Sequence, residues 1–173
     1  MVDDEAGFRE FVSTRLGRLS RTAYLLTGDH HKAEDLVQVT LVKVARHWRR
    51  VSQAGAPDAY VRRALYHEHV SSWRGRRVLE MSTAAPPERA TGRDESAEAV
   101  RRIVLRNALA RLAPGQRAVI VLRYFEDLSE SDTADALGCS VGSVKSQTHH
   151  ALARLRVIAP ELADFIADSE VLA

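Results

Sequence analysis

Among 173 residues there is one cysteine, Cys139. That excludes an intramolecular disulfide framework and a zinc ribbon. No apolar run nears the roughly 20 residues that a membrane span needs, so no membrane insertion is expected. The first residues, MVDDEAGFRE, are acidic and polar, unlike a secretory signal, and a cytoplasmic protein is expected. The chain has no glycine-rich phosphate loop, no nucleophile elbow and no carboxylate pair at active-site spacing. Its seven histidines include the near neighbours His30-His31, His67 with His69, and His149-His150. On a helix, residues one or two apart point about 100° and 200° away from each other, so these pairs cannot chelate one ion. No catalytic residue, no metal and no cofactor are therefore expected, and the chain does not read as an enzyme.

What is present is a soluble globular balance, 45% hydrophobic and 28% charged. The net charge of +2 hides an asymmetry. Residues 1–76 hold 13 basic and 9 acidic residues, residues 77–97 hold 3 and 4, residues 98–158 hold 9 and 6, and residues 159–173 hold 0 and 4. Two basic bodies flank a near-neutral linker, and an acidic tail follows. Basic domains favour a polyanion partner, although so modest an excess proves little alone.

Helical periodicity covers most of the chain. Phe8, Phe11, Val12, Leu16, Leu19, Ala23 and Leu26 predict one helix over 7–26. Thr27-Gly28-Asp29 breaks it, and Asp29 can cap a second helix running to about Trp48. The core stripe of that helix is Ala33, Leu36, Val37, Thr40, Leu41, Val44, Ala45 and Trp48. Its other side carries Asp35, Gln38, Val39, Val42 and Arg46. Two valines facing water are either ordinary exposed residues or the apolar centre of a partner-binding face rimmed by carboxylates. Residues 49–58 read as a loop. A third helix, from Ala59 to about Arg74, interleaves Arg62, Arg63, Arg74, Arg76 and Arg77 with the rings of Tyr60, Tyr66 and Trp73. Arginines suit phosphates and rings stack on unpaired bases; the plainer reading is a basic helix with core aromatics. From Val78 to about Ala97 the chain lacks periodicity and reads as a flexible linker. A fourth helix starts near Glu98, with Val100, Ile103, Val104, Ala108 and Leu112 as its stripe. Pro114 suits the first turn of a fifth, whose Ala118, Val121, Leu122 and Phe125 face the core.

Leu128 to Arg156, LSESDTADALGCSVGSVKSQTHHALARLR, organises the rest. Ser129 can cap a short helix, with Asp132 three residues on. Gly138 stands where a left-handed turn residue is needed. Ser140 can cap a second helix, in which Val141, Val144, Thr148, Ala151, Leu152 and Leu155 form one buried stripe. The opposite face bears Ser143, Lys145, Ser146, Gln147, His149, His150 and Arg154. All of these are donors or can be, and none is acidic. Such a face suits a DNA major groove. A helical hairpin inside an ordinary α-domain is the alternative. Cys139, at the turn, reads as a small buried hydrophobe. Pro160 ends the second helix. The tail ELADFIADSEVLA, acidic and amphipathic, either folds back on a basic domain or is disordered.

In order of motifs, ARLAPGQRAVIVLRYFEDLSESDTADALGCSVGSVKSQTHHALARLR resembles the promoter-reading domain 4 of extracytoplasmic-function sigma factors of the sigma-70 family, most narrowly the actinobacterial SigE-like set. AEDLVQVTLVKVARHW is similar to the segment of sigma domain 2 that grips the clamp helices of the polymerase β′ subunit. The resemblance covers nearly the whole chain except linker and tail. It implies an all-α protein of two small helical domains: domain 2 over 1–76, a linker over 77–97, a helix-turn-helix domain 4 over 98–158 and the tail over 159–173. Carried over by position, Glu34, Asp35, Gln38 and Val39, with Val42 beside them, would bind core RNA polymerase, which also offers its β flap. Arg62, Arg63, Tyr66, His67, Trp73, Arg74, Arg76 and Arg77 would open the duplex and hold the non-template strand of the −10 element. The outward face of the second helix of the helix-turn-helix would read the −35 element of promoter DNA. The linker would thread the polymerase active-site and RNA-exit path, and a sequestering anti-sigma factor would regulate the protein. Three positions depart from the family pattern: Val39 stands where Glu is usual, His67 where Asn is usual, and His150 where an arginine is common. A helix-turn-helix repressor or response-regulator output domain is the chief rival reading, and a helical adaptor resembling an anti-sigma protein is a third.

Overall fold

The computed structural model describes residues 2–79 and 97–160, with side chains over 4–72 and 103–160. All regular structure among them is helical. The chain divides into two compact units, Met1–Leu79 and Glu80–Ala173. The expected linker falls largely in residues 80–96 and the tail in residues 161–173, outside the described residues.

In the first unit α1 (Val2–Thr27), α2 (His30–Ala45), α3 (Trp48–Gln53) and α4 (Pro57–Leu79) pack together, α1 on α2 and α2 on α4 most extensively. Gly28, at φ 72°, ends α1. Asp29 then caps α2, its carboxylate accepting the Lys32 N–H at 2.9 Å. Ala33, Leu36, Val37, Thr40 and Val44 are buried and Leu41 is half-buried, as the stripe predicts, whereas Ala45, also expected there, is exposed at the end of the helix.

Beyond Ala45 the structure departs from expectation. The second helix does not continue to Trp48, and the expected loop begins with a helical segment, α3. Trp48 (7% exposed) and Val51 (3%) turn inward from it. The Trp48 ring lies between Phe8 and Phe11 of α1, with centroid separations of 5.2 and 5.1 Å.

Val61, Leu65 and His69, four residues apart, form the buried face of α4, with Tyr66 beside them. Two ion pairs tie α4 to the other helices. Arg15 on α1 donates Nε and Nη2 to the two carboxylate oxygens of Asp58 at 2.7 and 3.3 Å, and Lys43 on α2 pairs with Glu68.

The second unit comprises α5 (Ala97–Ala110), α6 (Pro114–Ile120), α7 (Glu130–Leu137) and α8 (Val141–Ile158). Between α6 and α7 the helix widens into a π-helical turn, Val121–Phe125. The extra residue in that turn changes the register, so Phe125, expected in the core, is 36% exposed, while Val121 and Leu122 stay fully buried. Among the described residues of this unit Arg117 is the buried cation. Its Nη2 donates to Ala110 O at 2.8 Å and Leu112 O at 3.3 Å, satisfying carbonyls at the end of α5. Burial pushes its guanidinium below the ordinary arginine value.

Candidate polymerase and DNA interfaces

On α2, Glu34, Asp35, Gln38, Val39 and Val42 all point outward and are exposed. Val39 is 42% and Val42 54% exposed. Glu34 and Asp35 make no ion pair among the described residues. This face thus presents uncommitted carboxylates around a small apolar centre, a composition suited to a basic partner.

On α4 the expected strand-binding residues divide. Arg63 and His67 are exposed, and Arg62 is half-buried. Tyr66 is a correction. It is 2% exposed, because it follows Leu65 on the inward side of the helix, and its ring is part of the core rather than a platform for a base. Among the described residues of this stretch Tyr60, 39% exposed, is the accessible ring. The α4 backbone continues helically through Trp73, Arg74, Arg76 and Arg77, whose side chains lie outside the described residues.

The helix-turn-helix is built as its residues predict. Ser129 Oγ accepts the Asp132 N–H at 3.0 Å and donates to the Asp132 carboxylate at 2.6 Å. Gly138 adopts φ 62°, ψ 44°, and the Cys139 N–H reaches back to Ala134 O at 3.0 Å, closing the first helix with a Schellman arrangement. Ser140 Oγ accepts the Ser143 N–H at 3.1 Å and starts α8. Val144, Thr148, Ala151, Leu152 and Leu155 are buried. Two expectations fail at the turn: Val141 is 39% exposed, and Cys139 is exposed rather than buried. Both belong to the bend itself, where the chain runs over the surface before α8 packs down.

Ser143, Lys145, Ser146, Gln147, His149, His150 and Arg154 are all exposed on α8. Ser143, Ser146, Gln147, His150 and Arg154 share one face, while Lys145 and His149 lie together on one side of the helix, away from the centre of that face and toward buried Leu152. The face is not wholly free of acid. Glu130 on α7 lies 3.4 Å from Lys145 Nζ. Arg154 spends its Nε on Arg111 O, 3.2 Å away just past the end of α5, which anchors the far end of α8.

Sequence reasoning missed the corner between α2 and α3. Arg46, His47, Arg49, Arg50 and Gln53 line an open recess there. The available signal was the run without any acidic residue between Asp35 and Asp58, together with the apolar pair Trp48 and Val51 at helical spacing.

Among the described residues no helix is long and apolar enough to cross a membrane, and no cluster of His, Cys, Asp and Glu is placed to hold a metal ion.

Comparison with known proteins agrees with this geometry. Residues 11–78 match Sigma-70 region 2, and residues 102–155 match Sigma-70, region 4. RNA polymerase sigma-E factor of Streptomyces avermitilis is 41% identical over 149 residues, covering 86% of this chain and 83% of that one. ECF RNA polymerase sigma factor SigL of Mycobacterium tuberculosis is 35% identical over 149 residues, covering 83% and 84%. Among solved structures, the sigma factor RpoE of Bartonella quintana, determined in complex with the anti-sigma factor NepR, superposes with a TM-score of 0.62 at 29% identity, covering 88% of this chain and 96% of that one.

The chain belongs to the sigma-70 family of RNA polymerase sigma factors, in its extracytoplasmic-function group. Its function is to bind core RNA polymerase and direct promoter-specific initiation. The match over residues 11–78 disfavours the repressor reading.

Proposed function

We propose a division of labour among three helix faces. The outward face of α2 binds core polymerase at the β′ clamp helices, with Asp35 and Glu34 seeking basic groups, Gln38 hydrogen bonding, and Val39 and Val42 filling the apolar centre. The exposed side of α4, with Arg62, Arg63 and His67, holds the melted −10 strand, and Trp73, Arg74, Arg76 and Arg77 continue it. The outer face of α8 reads the −35 duplex through Ser143, Lys145, Ser146, Gln147, His149, His150 and Arg154, while the second unit also meets the β flap. The observation that carries the first assignment is the pair of uncommitted carboxylates beside two exposed valines.

The protein acts in the cytoplasm, and an anti-sigma factor sequesters it; the complex of the Bartonella relative with NepR supports that partner class. The chemistry of RNA synthesis belongs to the polymerase. Run-off transcription with purified actinobacterial core polymerase and a promoter library tests the reading. The expected outcome is a set of specific transcripts that Asp35→Arg abolishes, with core affinity lowered at least tenfold. Transcripts insensitive to Asp35→Arg would remove α2 from the polymerase contact. Tight duplex binding without polymerase, and no transcripts, would return the repressor.

A further inference from the structure

We infer that His150 couples the −35 contact to proton uptake: its imidazole takes a proton from solvent as it meets a DNA phosphate, so the second unit grips its promoter element more tightly as pH falls. The inference rests on the proposal that the outer face of α8 reads the −35 duplex. Ser143, Ser146, Gln147, His150 and Arg154 on that face are all exposed, and α8 carries no acidic residue. Among these side chains Arg154 is the one permanent cation, and its Nε is already given to Arg111 O at 3.2 Å. The other full cations of α8, Lys145 and Arg156, lie away from the centre of the face. Lys145 is also held by the Glu130 carboxylate, 3.4 Å away. His150 sits in the middle of the face, between Gln147 and Arg154 along the helix. A proton there takes the face from one positive charge to two.

The surroundings leave that proton to the DNA. α8 packs against α5, α6 and α7. Among the described residues, the charged groups they bring are Arg106 and Arg111 from α5 and its end, Arg117 from α6, and Glu130, Asp132 and Asp135 from α7. Arg117 is turned to the carbonyls of Ala110 and Leu112, Asp132 to Ser129 and Glu130 to Lys145. None of the six pairs with an imidazole of α8. His149 and His150 meet only each other, edge to face, with centroids 5.7 Å apart at 68°. His150 therefore has both ring nitrogens to offer an incoming ligand. Histidine is the side chain whose charge ordinarily changes between about pH 5 and 8, and a phosphate within hydrogen-bond reach favours the charged form. Because the protonated protein is then the tighter binder, reciprocity requires that DNA draws in the proton and that affinity rises as pH falls. His149 points to the side, with Lys145 one turn before it, and two charges on touching rings disfavour each other. One proton is expected, and His150 holds it.

The test uses holoenzyme reconstituted from core polymerase and the full chain, binding a promoter fragment at about pH 6 and about pH 8 over a range of salt concentrations. Titration of the polymerase and of the other histidines is common to every variant, so the readout is the difference between the native chain and His150→Gln. Relative to that variant, native holoenzyme is expected to gain on the order of fivefold in affinity on going to the lower pH. Its log–log salt slope should steepen by about 0.9, the value for one further phosphate contact on duplex DNA. His150→Arg supplies the charge permanently and should show the steep slope at both pH values, while His149→Gln keeps the native pH dependence. Equal pH dependence in the native chain and His150→Gln overturns the proposal, as does its loss in His149→Gln. Arg154→Gln, run in parallel, reports on the −35 assignment separately. If it weakens binding while His150→Gln keeps the native pH dependence, the proton coupling falls and the reading of α8 stands. If both variants leave binding unchanged at both pH values, the reading of α8 itself fails.

Discussion

At the scale of single residues, neighbours on α4 carry opposite duties. Tyr66 is buried and His67, next along the chain, is exposed. Composition alone makes both attractive for an unpaired strand. Only the register with Val61, Leu65 and His69 separates them, and that register was legible in the spacing of fours. Tyr66→Ala is expected to lower unfolding free energy by about 3–5 kcal/mol, as large aromatic truncations in cores do. His67→Ala should leave the denaturant midpoint nearly unmoved and change the preferred base of the −10 element in transcription from substituted templates. Asp29 offers a pH test. The Lys32 N–H bonded to its carboxylate holds it below its ordinary value of 3.8. A depressed folded-state pKa contributes stability that is full above the unfolded value and is lost as pH falls through the folded one. Thermal unfolding should therefore show a steeper loss below about pH 4 for the native chain than for Asp29→Asn.

At the scale of elements, the helix-turn-helix was the most legible part, because its caps and bend use residues with few alternatives. Ser129, Gly138 and Ser140 each do what their chemistry favours. Gly138→Ala places a side chain at φ 62° and should cost about 1–2 kcal/mol in unfolding free energy, read by denaturant titration. The open space around Gly138 means the loss is conformational rather than steric, so Gly138→Asn should recover part of it. The α2–α3 break was not legible. The stripe from Ala33 to Trp48 runs without a gap, and nothing local in Arg46-His47 stops a helix. The decision is made across the unit, by Phe8 and Phe11 receiving Trp48. The same holds for Phe125, which only the widened turn moves out of the core.

For the whole molecule, two compact units follow from two basic, periodic stretches separated by one that lacks periodicity. The family membership was likewise readable from the order of motifs. What the sequence could not supply is which charges are already spent. Arg15 and Lys43 are paired within the fold, whereas Arg49 and Arg50 have no ion-pair partner among the described residues. Separate units also make a quantitative expectation. On the proposed assignments Lys145→Ala acts through the −35 element and His67→Ala through the −10 element, and the two residues share no partner among the described residues. Their effects on open-complex formation should add within about 0.5 kcal/mol in a double-mutant cycle. A larger coupling would mean that polymerase links the two readouts.

The bend between α7 and α8 has one more consequence. Every hydrogen bond that sets it, from Ser129 to Asp132, Cys139 to Ala134 and Ser140 to Ser143, is internal to the protein. The angle at which α8 is presented is thus settled before any promoter arrives, and docking selects among side chains on a finished frame. On the proposed −35 assignment such a frame can be readdressed: exchanging the outward residues of α8 for those of another family member is expected to redirect the factor to a different promoter without rebuilding its fold.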